Sequence, residues 1–272
     1  MPYCAKCGAL LDQGANFCHR CGAQVTAEMV ATRHQAFKVT GEPTVVICNG
    51  APVNVEINAG TPADGEVAVD FDSGTKEDFD LVVSQDANRI DVRCLLLNNW
   101  SWPSHFLVGI GNSTIKVTVP TASILDVESR YGAVEVKGVN GSIRVDSSAG
   151  AVLLKDCRGN LRVEDRTGTI NLDDVEGTVL AETRTGSIKL SGCLSGVENR
   201  LRTRTGGVEV YLKGIPNLKV EAYARHGSIT VGSDVQDGHY DRGFYSGKLG
   251  DGVGRLAIET RTGDVTVQSR QS

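Results

Sequence analysis

From residue 129 onward the chain repeats itself with a period of eighteen. Corner glycines stand at Gly132, Gly150, Gly168, Gly186, Gly206, Gly227 and Gly263, at intervals of 18, 18, 18, 20, 21 and 36 residues. Midway between the early corners lie Gly141, Gly159 and Gly177. Each is followed, at two-residue steps, by apolar residues: Ile143 and Val145, Leu161 and Val163, Val179 and Ala181. A unit of that length holds two short strands and cannot bury its own apolar side, so coil must stack on coil. After each corner a second inward pair recurs: Val134/Val136, Val152/Leu154, Ile170/Leu172, Ile188/Leu190, Val208/Val210, Ile229/Val231 and Val265/Val267. Stacking turns these pairs into columns on a ladder of strands about 4.8 Å apart. The pattern predicts an all-β fold, a parallel β-solenoid of about 18 residues per coil. Asn199 interrupts one column, either stacked and hydrogen-bonded or at a bulge made by the two extra residues of its coil.

Composition agrees with strands and corners. Thirty-two glycines with 5% aromatics suit a chain of tight turns, and 40% apolar residues can build a core. Residues 37–120 read as strands without a clear repeat (TVVIC, VNVEIN, EVAVDF, FDLVVS, RIDVRCLLL, STIKVTV), as irregular first coils covering the end of the solenoid. Residues 121–272 carry the regular coils. A net charge of -5 gives no general attraction for nucleic acid or anionic membrane, so any basic site is local. The N-terminus has no charged segment leading into an apolar one, and no eighteen apolar residues run together; a soluble, cytoplasmic protein without a transmembrane segment is expected.

Residues 1–24 hold two Cys-x-x-Cys-Gly knuckles, Cys4/Cys7/Gly8 and Cys18/Cys21/Gly22. Four thiolates from two knuckles form a closed tetrahedral set for Zn²⁺, one per chain. With all four positions taken by sulfur, no place remains for water or substrate, so the metal is structural. Thiolate ligation fits a reducing compartment. Residues 25–36 read as a linker to a β domain over 37–272.

Cys157 and Cys193 fall, by the period, in one column with Val139 and Val175, and are expected as buried small hydrophobes two coils apart, beyond disulfide reach. Cys48 and Cys94 lie in strand-like runs and take the same reading. Arg130, Arg166, Arg184, Arg204, Arg225 and Arg261 each stand two residues before a corner glycine, with Ser148 interrupting the series. Superposed coils would line these guanidinium groups along one edge, able to hold phosphate or carboxylate groups of a polymer. The competing and preferred expectation is that Glu128, Asp165, Glu182 and Glu259, or corner carbonyls, neutralise them. Trp100 and Trp102, in a loop-like stretch, are a further candidate for partner binding. No nucleophile elbow, phosphate loop or His-Glu-x-x-His is present, and the five histidines are scattered.

The N-terminal segment, with its four cysteines and two knuckle glycines, resembles the zinc-ribbon domain of many bacterial and archaeal proteins, which implies an attachment or folding module. From about residue 37 the chain resembles a bacterial β-strand-repeat domain of unknown function that carries an adhesin label. The residues that carry this likeness are the Val117–Pro120 step, the Thr-x-x-Gly-x-Ile corners and the ending GKLGDGVGRLAIETRTGDVTV. That resemblance implies a parallel solenoid acting as a scaffold or interaction surface. The expectation is a non-enzymatic scaffold or protein-interaction module, working through a protein partner or self-association. The alternative is a binder of an anionic polymer or glycan through Arg166, Arg184 and Arg204 or the Trp100/Trp102 loop, nucleic acid not being the expected ligand. A β-helix enzyme is the third reading.

Overall fold

The computed structural model describes residues 3–4, 17–22, 30–31, 34–60, 65–72, 79–96, 113–214 and 216–270. Among them there is no helix: the fold is all β, with strands of mixed orientation. The chain divides into two compact units, Met1–Ala133 and Val134–Ser272.

In the first unit β1 (Tyr3–Cys4) pairs antiparallel with β2 (Val30–Ala31), so part of the stretch expected as a linker is paired backbone. The strands that follow are β3 (His34–Lys38), β4 (Thr44–Pro52), β5 (Asn54–Ala59), β6 (Glu66–Asp72), β7 (Phe79–Asp86), β8 (Arg89–Leu96), β9 (Thr114–Val119) and β10 (Ile124–Tyr131). In β4 the period-two alternation buries Val45, Ile47 and Ala51 and turns Val46 and Cys48 outward. β4 lies parallel between β8 and β10, and β5 lies parallel to β9. Beyond these the orientation reverses: β7 runs antiparallel to β8, β6 to β9, and β3 to β6. The irregular first strands are thus parallel rungs flanked by antiparallel ones, an arrangement that covers ladder edges.

The second unit contains β11 (Val134–Lys137), β12 (Asn140–Ser147), β13 (Val152–Lys155), β14 (Arg158–Thr167), β15 (Ile170–Thr185), β16 (Ile188–Leu194), β17 (Glu198–Thr205) and β18 (Val208–Lys213). It continues with β19 (Leu218–His226), β20 (Ile229–Val231), β21 (Gln236–Asp241), β22 (Phe244–Leu249), β23 (Gly254–Thr262) and β24 (Val265–Arg270). On one face the parallel ladder aligns Val134 with Val152, Ile170, Ile188 and Val208, each step eighteen or twenty residues. These side chains are buried, and Leu154, Leu172, Leu190 and Val210 form the column beside them.

Beyond Val208 the chain order breaks. Val208 pairs with Val265, and Val265 pairs with Ile229, so the last coil of the chain inserts between the two coils before it. On the other face β23 likewise separates β17 from β19. Beyond β19 the orientation reverses, with β22 antiparallel to β19 and β21 antiparallel to β22. Ile229 and Val231, having a single neighbouring rung, are half-buried rather than sealed like the other inward pairs.

The corner glycines report the same order. A Cβ on Gly186 would run into the carbonyl oxygen of Gly168, one on Gly263 into that of Gly206, and one on Gly227 into that of Gly263. Glycine over glycine is what lets the corners approach within one rung spacing.

Two column expectations change in detail. A register shift after Leu172 seats Gly192, not Cys193, beside Val175, so Cys193 turns outward while Cys157 stays buried. Cys94 is buried as expected, but Cys48 stands on the outward side of β4 and is half-buried. Asn199 is stacked inside its column: its Oδ1 accepts from the Val179 amide at 2.9 Å and its Nδ2 donates to the Arg255 carbonyl at 3.3 Å.

Candidate functional site

A buried polar column underlies the corners of the second unit, one that the apolar periodicity of the repeat does not reveal. Ser147, Asp165, Thr183, Thr203 and Thr260 align rung by rung, all inward and buried. The hydroxyls of Thr203 and Thr260 donate to the carbonyls of Gly186 and Gly206 at 2.9 and 3.0 Å, each satisfying a corner carbonyl of the adjacent rung. The signal was present in sequence as the first threonine of each Thr-Arg-Thr-Gly corner. Asp165 breaks the pattern. Neither of its oxygens has a partner of hydrogen-bonding geometry, and burial pushes its carboxyl above the ordinary value, offset in part by the nearby Ser147 hydroxyl and the amides of Thr167 and Arg166.

Because side chains alternate, the residue after each member of this column points outward. After Ser147 that residue is Ser148; after Asp165, Thr183, Thr203 and Thr260, and after Ala224 on the rung beyond Thr260, it is Arg166, Arg184, Arg204, Arg261 and Arg225, all exposed, on consecutive rungs in that spatial order. Five arginines on rungs about 4.8 Å apart make a row about 19 Å long. The insertion of the last coil is what places Arg261 between Arg204 and Arg225.

The expected neutralisation does not take place. Among the described residues no ion pair or side-chain hydrogen bond holds any of the five, although other basic residues of the same sheet face are matched with acids. Arg144 pairs with Asp146 at 2.7 Å, Arg162 with Glu164 at 2.5 Å and Arg158 with Glu176 at 3.3 Å. Glu182 and Glu259, expected beside the corners, instead flank Arg202 at 3.6 and 3.4 Å, and Arg200 reaches Glu259 at 3.7 Å. Asp165 faces the interior. Lys219 and then Arg255 hold the Glu221 carboxyl below its ordinary value, and Glu221 in turn raises Arg255. In the first unit, Arg130 and Glu128 form no ion pair among the described residues.

Two open grooves flank the row formed by Glu182, Arg202, Glu259 and Tyr223. One, of about 550 Å³, runs between that row and the corner arginines and is lined by Arg184, Arg204, Arg261 and Arg225. The other, of about 490 Å³, lies on the far side against Arg200, Glu221, Phe244 and Arg255. Tyr223 and Phe244 are directly opposite one another on β19 and β22, and both are exposed.

At the N-terminus, Cys18 is buried and Cys21 half-buried on one turn. Gly22 closes that turn at φ +68°, donating its amide to the Cys18 carbonyl at 2.9 Å. This is the knuckle geometry that directs amides toward sulfur. The backbone of Cys4 is held by β2. Cys7 and the side chain of Cys4 lie outside the described residues, among which no group of three metal-ligating side chains occurs. A donor set of four thiolates fits a closed tetrahedral Zn²⁺ site. Trp100 and Trp102 also lie outside the described residues.

Residues 3–25 match the zinc-ribbon domain family, a span that includes all four cysteines of the knuckles. No curated protein matches the chain. The chain is similar to the solved structure of a candidate cell adhesion protein from Clostridium sporogenes, at 10% identity and a TM-score of 0.31, over 87% of this chain and 99% of that one. It is similar to the same degree, 10% identity and TM-score 0.31, to a candidate adhesin from Bacteroides fragilis, over 87% of this chain and 96% of the other. Values this low carry no argument about fold or activity. Among the described residues no helix is long and apolar enough to cross a membrane.

Proposed function

We propose that the protein is a non-enzymatic binding scaffold whose repeat region, wound as a parallel β-solenoid of about 18 residues per coil, presents its corner arginines to an anionic partner. The N-terminal ribbon holds one structural zinc through Cys4, Cys7, Cys18 and Cys21, and serves as a folding or attachment module. The observation that carries the reading is a contrast between neighbouring rows. Acids pair with Arg144, Arg162, Arg202 and Arg255, yet among the described residues none pairs with the five successive corner arginines. A solvated strand face alone would not require that difference. Unpaired like charges about 4.8 Å apart repel one another, and a bound anion relieves the repulsion.

The test is a combined Arg184→Gln, Arg204→Gln, Arg261→Gln variant, titrated with heparin at physiological salt. The expected result is at least a tenfold loss of affinity with an unchanged melting temperature. Absence of heparin binding by the wild type, or a variant that loses stability and keeps binding, would overturn the reading.

A further inference from the structure

We propose that the anionic partner is an acidic polysaccharide, lying along the groove between the corner arginines and the Glu182–Arg202–Glu259–Tyr223 row. This rests on the anion-binding reading above and adds the chemistry of the polymer. The groove is lined by four of the five unpaired arginines, but carboxylates also line it: Glu182 and Glu259. Their contacts to Arg202, at 3.6 and 3.4 Å, are longer than a good hydrogen bond, so their oxygens retain acceptor capacity. A phosphate polymer, charged at every unit, would meet those carboxylates with repulsion. A sugar chain answers both features, since its hydroxyls donate to Glu182 and Glu259 while its carboxylates or sulfates take the guanidinium groups.

The aromatic residues point the same way. Tyr223 and Phe244 form one exposed pair at the end of the row, in register with Glu259 and two residues from Arg225. A pair of rings presenting apolar faces with a hydroxyl at the edge suits a pyranose ring, apolar on one side and rimmed by hydroxyls. Nucleic acid binding of this kind uses an aromatic platform for successive bases along the strand. Here the rungs ahead of Tyr223 carry Glu259, Arg202 and Glu182 instead. From β15 to β19 the groove spans three rung intervals, about 14 Å, room for a short run of sugar units.

The experiment compares polygalacturonate, heparin, single-stranded DNA and polyphosphate as ligands for the wild type, for Tyr223→Ala, and for the combined Arg184→Gln, Arg204→Gln, Arg261→Gln variant. Melting temperatures check that each is folded. The expected outcome is tighter binding of the two glycans than of DNA or polyphosphate. Tyr223→Ala should weaken glycan binding about tenfold with the salt dependence kept, and the arginine variant should lose affinity and show a shallower salt dependence. If Tyr223→Ala proves unstable, Phe244→Ala carries the same comparison. DNA or polyphosphate binding as tightly as the glycans, or glycan binding indifferent to both aromatic variants, would overturn the polysaccharide assignment while leaving the arginine edge standing. Absence of binding by all four polymers would remove both.

Discussion

A hydroxyl turned into a β corner is stabilising when a carbonyl of the next rung lies within reach, as the Thr203–Gly186 and Thr260–Gly206 bonds show. Each bond of this kind contributes about 1 kcal/mol, and losing one partner costs more, because the buried carbonyl is left unsatisfied. Asn199 obeys the same rule in the apolar column, spending both ends of its amide on backbone groups of two neighbouring strands. Asp165 occupies a threonine position without a threonine's bond, and its carboxyl is raised above 3.8 by burial. A raised folded-state value means that its contribution is present at low pH and is lost as pH climbs from the ordinary carboxylate value through the raised one. Asp165→Thr is therefore expected to be more stable than the wild type at pH 7, with the gap closing toward pH 4. Denaturant unfolding at both pH values measures this, and a constant gap would contradict it.

At the scale of the strand and coil, stacking has more than one solution that the local sequence would accept. The corners at Gly186, Gly206 and Gly263 all read Thr-Arg-Thr-Gly followed at two residues by Ile or Val, so any one presents a fitting surface to any other. That is why the columns were legible from spacing while their order was not. The coil that contains Gly263 sits between those of Gly206 and Gly227, where the Arg255 carbonyl of its strand accepts from Asn199. The antiparallel strands β6 and β7 are legible as strands from their apolar content, but not as reversed ones, and β22, outside the repeat pairs, is not legible from spacing. The bulge that turns Cys193 outward arises because β15 has one residue more than β16 between Leu172 and Val175, an offset that the corner-to-corner spacing does not state. Removing residues 150–167, one whole period, should leave a folded protein, since the coils on either side carry matching columns. Truncation before Gly254 should do far more damage than its terminal position suggests, because β23 and β24 are interior rungs with neighbours on both sides. Thermal melts of the two variants compare them directly. Equal loss of stability, or a well-folded truncation, would contradict the inserted coil.

For the molecule as a whole, the ribbon and the repeats are stabilised by different means. A segment as short as residues 3–25, matched by the zinc-ribbon family, is expected to fold only with a bound metal, whereas the repeats bury columns of valine, isoleucine and leucine. Metal analysis is expected to find one equivalent of zinc in the wild type and none in Cys18→Ser, with the far-UV β signal and melting temperature of the repeats unchanged. Joint unfolding would show the two to be coupled. The distribution of charge makes a second whole-molecule statement. The net charge is -5, and the sheet face beside the corners is neutralised pair by pair, yet the corner row is left bare. The sequence shows that row plainly, but its lack of partners depends on where Glu182 and Glu259 point. The measurement that tests this account most directly is heparin affinity as a function of salt for the wild type and for the Arg184→Gln, Arg204→Gln, Arg261→Gln variant. The wild type should weaken steeply as salt rises, and the variant's log–log slope should be shallower by about one for each arginine removed. Equal slopes, or a wild type whose binding ignores salt, would contradict it.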